Sequence, residues 1–179
     1  MSRLPLARAP GQSAVIVALA LPFLMAFTLL VVEVAERWLE VAMVEDALQQ
    51  ATRSAVQTLD YEALARGEEG LRAAAECRNV TTAAPGACRE LLEIADRYLQ
   101  VNLAGVRGLD EPLPAVAARV RWTVLPRGGT CTFPGTSRAV AATTPLLCAE
   151  VRPQMRGVVG WGAYAPLILA ADTIDPARP

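Results

Sequence analysis

From Gly11 to Val32 the chain carries no charged residue. At a helical rise of about 1.5 Å per residue, such a run reaches across a hydrocarbon core of roughly 30 Å. It predicts a transmembrane helix over 13–32. A cleaved secretory signal fits less well, because its apolar region is shorter, roughly 7 to 15 residues, and ends in a small-x-small site. Here Glu33, Val34, Ala35 and Glu36 stand at that point. Arg3 and Arg8 precede the run, and Glu33, Glu36 and Glu40 follow it, so the positive-inside rule predicts a cytoplasmic stub over 1–12 and an exported remainder. Pro22 lies in mid-segment, where it removes a backbone hydrogen bond and predicts a kink that neighbouring helices can repair. Beyond the run, Val34, Trp38, Val41, Val44, Leu48, Ala51, Ala55 and Leu59 recur at intervals of three and four. No Gly or Pro interrupts before Gly67, so one rod is expected from about Ser13 to Thr58, its stripe packing on its own domain. Trp38 suits the membrane interface, where an amphipathic ring is favoured.

After Asp60, a suitable N-cap, YEALAR predicts a short helical turn, and LRAAAEC from Leu71 continues in helical composition. RNVTTAAPGA reads as a loop between Cys77 and Cys88, with a glycosylation sequon at Asn79. The segment 88–106 predicts an amphipathic helix with Leu91, Ile94, Tyr98 and Val101 on one side, ended by Gly105 and Gly108. Past Pro114 the period changes to two: Val116, Ala118, Val120, Trp122 and Val124 alternate with Ala117, Arg119, Arg121 and Thr123, the pattern of a half-buried strand. PRGG then predicts a turn. TCTF, LLCAEVR and PLILAADT predict further strands, separated by PGTSRAVAATTP and MRGVVGWGAY. The expected fold is α+β: a helical region over 33–110 and a β-rich region over 111–179 with a small antiparallel sheet, packed together as one domain.

Composition narrows the chemistry. The 179 residues have a net charge of -1 and no basic stripe, which argues against nucleic acid. All 17 positive charges are Arg, and the chain has no His, so it lacks the usual general base near neutral pH and any serine–histidine or cysteine–histidine pair. The 4 cysteines, Cys77, Cys88, Cys131 and Cys148, form no C-x-x-C, so a zinc site is poorly supported and two disulfides fit an oxidising compartment. Three connectivities are open to them; local order favours Cys77 with Cys88 and Cys131 with Cys148. Gly157, Gly160 and Gly162 lack the lysine and the strand–loop–helix setting of a nucleotide loop. Glu68 with Glu69, and Asp172 with Asp175, read as solvated charge. Trp122 fits a sheet core, and Trp161 has no assigned role. No catalysis, metal, cofactor or small-molecule ligand is expected.

The opening resembles that of the TadE/TadG-like family, pilin-like membrane-anchored proteins of the bacterial tight-adherence (Flp) pilus system. The residues that carry the resemblance are Arg8, then Gly11, Val15, Ala18, Leu19 and Pro22 in GQSAVIVALALP, followed by Glu33 and the helix through WLEVAMVEDALQQATRSA. It covers the first third of the chain. It implies a single-pass protein of the cytoplasmic membrane that meets other pilus or secretion-assembly subunits through its N-terminal helix, with a possible processing site between Gly11 and Gln12. Prepilin-like members carry Glu five residues after that Gly; Ile16 stands there instead. That difference points away from a major filament subunit and towards a minor or accessory one. The alternative expectation is an anchored extracytoplasmic binding module of another envelope complex.

Overall fold

The computed structural model describes residues 12–67, 70–157 and 162–174. Helix α1, Gln12–Val56, is 45 residues long and continues unbroken through Pro22. Residues 14–32 are exposed at every position, and burial begins at Glu33. α2, Tyr61–Ala65, is capped by Asp60, whose carboxylate accepts the Glu62 and Ala63 amides. There follow strand β1, Cys77–Val80; helix α3, Arg89–Leu103; helix α4, Leu113–Ala118; and strands β2, Arg121–Leu125, β3, Gly129–Thr132, β4, Ala139–Ala142, β5, Leu146–Val151, β6, Met155–Arg156, β7, Ala163–Tyr164, and β8, Ile168–Thr173. The α+β expectation is met.

The main sheet is antiparallel in the order β1-β2-β5-β8. Strand side chains alternate between faces, and each face has its own cover. Trp122, Val124, Leu147, Ala149, Val151, Ile168 and Ala170 form the inner face, against α1 (Val44, Ala47, Leu48, Ala51, Ala55) and α3 (Leu91, Leu92, Ala95, Leu99, Leu103). The alanines among these let the helix backbones approach closely. On the outer face, Leu125, Leu146 and Cys148 pack with Cys131 and Phe133 of the β3–β4 hairpin, and the Cys131–Cys148 disulfide joins hairpin to sheet. The second disulfide, Cys77–Cys88, ties edge strand β1 to the start of α3.

Five local expectations are corrected. The stripe of α1 holds from Val41 onward: Val34 and Trp38 are exposed, Trp38 by 76 %, while Glu33 and Glu40 face the domain. The buried side of α3 is Leu91, Leu92, Ala95, Leu99 and Leu103, so Tyr98 and Val101 point outward. Residues 113–118 are helical rather than extended, because Pro112 at the N-cap and Pro114 in the first turn start a helix well. Val116 and Val120 fit either period over so short a stretch, whereas Ala117, buried beside them, fits only the helical one. LRAAAEC forms no helix, its backbone being spent elsewhere: Leu71 bridges Leu59, the Arg72 amide donates to the Thr58 carbonyl, and the Ala74 amide to that of Ala87. Finally, the loop after Cys77 contains β1, and the separators 134–145 and 155–164 contain β4 and the paired β6 and β7. Asn79, at φ 51°, gives β1 its irregular register and sends its amide to Thr123 Oγ1 at 3.2 Å.

Candidate functional site

The most unusual chemistry lies where α1 passes from its exposed run into the domain. Glu33, Glu36, Arg37 and Glu40 share one helical face by their spacing of three and four. Glu33 is 2 % and Glu40 7 % exposed. Arg37 Nε donates to Glu33 Oε1 at 2.7 Å, and its guanidinium stands 4.7 Å from the centroid of the Tyr164 ring, a cation–π contact. Arg37 Nη2 also donates to the Gly162 carbonyl at 3.4 Å. From β7 the Tyr164 hydroxyl donates to Glu40 Oε2 at 3.3 Å. Glu36 Oε2 is buried without a hydrogen-bond partner among the described residues.

Two glycines make room for these carboxylates. A side chain added at Gly108 would overlap the carboxyl group of Glu40, and one at Gly157 that of Glu33. Each clash is with the end of a glutamate side chain, so the added carbon would force that carboxylate to swing away and give up its contact with Tyr164 or Arg37. Gly108→Ala and Gly157→Ala are each expected to cost about 1–3 kcal/mol, the range for overpacking, read from urea or thermal unfolding of the full chain in detergent. A Gly105→Ala control, where the added carbon meets only ordinary contacts at 3.9 Å and beyond, should cost less.

Burial raises the pKa of Glu40; the Tyr164 hydrogen bond lowers it, and the nearby Glu36 and Glu33 raise it further. Tyr164 is pushed up to about 12, first by burial and then by Glu40. A carboxyl whose pKa is raised on folding binds its proton more tightly in the native state, so its contribution is full at low pH and is lost as pH rises through the folded value. Glu40→Gln, which stays neutral and still accepts from Tyr164, is therefore expected to be at least as stable as the parent near neutral pH. It should also remove part of the decline that sets in as pH rises above the ordinary glutamate range. Glu40→Ala should destabilise instead, by stranding the Tyr164 hydroxyl. Melts of the three proteins across that range check both statements; a Gln variant less stable than the parent at pH 7 would contradict the first.

Of the residues singled out from sequence, Gln12 opens α1, Pro22 sits within its exposed stretch, Glu33 is in the cluster, and Trp38 is on the opposite side of the helix. Cys77, Cys88, Cys131 and Cys148 serve the two disulfides. Trp122 is fully buried in the sheet core. Asp172 is not solvated charge, since it accepts from Arg53 Nε at 3.2 Å and holds the end of β8 to α1. Gly11, Glu68, Glu69, Gly160, Trp161 and Asp175 lie outside the described residues. Tyr164, Arg37, Gly108 and Gly157 were not legible as one site: they are far apart in sequence, and the glycines resemble ordinary helix ends and turns. No family model, curated protein or solved structure matches the chain.

Proposed function

We propose that this chain is a structural, non-catalytic component of a bacterial cell-surface pilus or secretion assembly, of the pilin-like tight-adherence type. It is held in the cytoplasmic membrane by α1, with residues 1–12 inside and the disulfide-bonded domain outside. The observation that carries this reading is the division of α1: apolar and wholly exposed over 14–32, then spine of the core from Val44. An exposed apolar helix of that length is costly in water and at home in lipid or among other apolar helices. The two disulfides support an oxidising location. Ile16, where a filament subunit of this type would carry a carboxylate, favours a minor or accessory component over the major one.

Deletion of the gene in its native host tests the proposal. Loss of surface pili, restored by the intact gene, is the expected result, together with co-purification of the protein with other assembly subunits. Normal pili with the collapse of an unrelated envelope complex would overturn it in favour of an anchored binding module. The intact mass of the native protein reports the N-terminus separately, because a chain starting at Gln12 would make Gly11 a true processing site.

A further inference from the structure

The β3–β4 hairpin covers the outer face of the sheet only as far as Pro134 and Gly135. Beyond it, at the ends of β2 and β5, lies an open cavity of about 540 Å³ with Arg119, Arg121 and Arg152 in its wall. Arg119 is paired with Glu111. Arg121, by contrast, has no ion pair or hydrogen bond from its side chain among the described residues. Arg152 reaches only the Gly135 carbonyl, at 3.5 Å. The carboxylate of this wall, Glu150, is 6 % exposed and turned under the hairpin loop, where its Oε2 accepts the Gly135 amide at 2.8 Å. Glu150 stands opposite Arg121 in the strand register, yet the two form no ion pair. Two guanidinium forks thus line one cavity, and neither is paired with a carboxylate among the described residues.

We propose that this cavity is a binding site for a phosphate ester bearing a free hydroxyl, a function beyond the scaffold role, its lipid form resting on α1 being held in the membrane as proposed above. A phosphate offers several oxygens to two planar forks at once, which a single carboxylate does less well. A neighbouring hydroxyl would donate to Glu150, which accepts and cannot donate while ionised. The same chemistry is found in a phospholipid headgroup and in a soluble glycerol or sugar phosphate. Position favours the headgroup. Arg53 and Asp172 fix the far end of β8 along α1, so Ile168 and its partner Val151 mark the end nearer the exposed run. Five residues after Arg152 the chain arrives at Gly157, beside Glu33. At no more than about 3.6 Å per residue, the cavity's rim lies within about 18 Å of the start of the domain.

The test is calorimetric titration of the full-length protein in maltoside detergent, which has no phosphate, with glycerol 3-phosphate and with soluble dihexanoyl phosphatidylglycerol. Binding of at least one ligand is expected, weakened about tenfold or more in Arg121→Gln/Arg152→Gln, since hydrogen bonds to charged groups are the strong ones. Arg138→Gln, which removes an exposed charge elsewhere, should bind as the parent does. Both arginines are exposed, so the double variant should keep the parent's melting temperature. Tighter binding of the lipid diester identifies the headgroup as occupant; tighter binding of the monoester identifies a soluble ester. The proposal is overturned if neither ligand binds, or if the double variant binds as well as the parent.

Discussion

Trp122→Ala is expected to cost about 3–5 kcal/mol, the range for deleting a large buried aromatic, and to leave the domain largely unfolded at physiological temperature. Trp122 is fully buried in β2, one strand in from the edge, on the inner face covered by α1 and α3. Its removal opens a cavity where sheet and helices meet, and neighbours fixed by strand register cannot collapse into it. Trp122→Phe should cost much less than its lost volume implies. The indole Nε1 is buried without a hydrogen-bond partner among the described residues, so phenylalanine takes away an unsatisfied donor along with the packing. Urea unfolding of the two variants, followed by circular dichroism, measures the difference. An equal loss for Phe and Ala would show that the polar atom contributes no penalty.

Removing Cys77–Cys88 by serine replacement should cost about 3 kcal/mol, the loop-closure value for a short crosslinked segment. The cysteines are 11 residues apart, and the strand between them has little else to hold it. β1 pairs with β2 only at Cys77 with Val124 and at Val80 with Trp122, with a register shift between them. Hydrogen exchange should therefore show deprotection spreading over 71–88, where the Ala74 amide also depends on Ala87. Replacing Cys131 and Cys148 should instead deprotect the β3–β4 hairpin over 129–142 while α1, α3 and the inner face keep their protection. The two bonds crosslink similar lengths of chain, at separations of 11 and 17 residues, so location rather than magnitude distinguishes them. Uniform deprotection in both variants would mean that the hairpin and the main core unfold as one unit.

How far the sequence discloses this fold depends on how long each pattern runs. α1 is legible because its signal persists: no charge over 11–32, no helix breaker before Gly67, and alanines and leucines at helical spacing from Val44. β5 and β8 are legible as apolar runs because both lie beneath covers on their two faces or against α1. Short segments were ambiguous, and partners outside the segment decided them. Residues 116–120 fit a strand or a helix, and the two prolines chose; 71–76 have helical composition, but their amides found acceptors across the chain. The cluster around Glu33 was least legible. Three glutamates after an apolar run read as a topology signal, and nothing local says that the acids turn inward while Val34, Trp38 and Leu39 turn out. That inversion depends on Tyr164 and two glycines more than sixty residues away, which only the folded chain brings together.

The first residue beyond the apolar run, Glu33, is already buried in the folded domain, so no tether separates the two. A flexible linker of n residues would let the domain wander over about 5–6 Å × √n; here that radius is zero. Height, azimuth and inclination of the domain are all set by the helix that enters it. Turning α1 about its axis by one residue swings the whole domain by about 100°. Inserting one alanine within 14–32 would therefore leave the fold intact and re-aim every surface of the domain relative to the start of the helix.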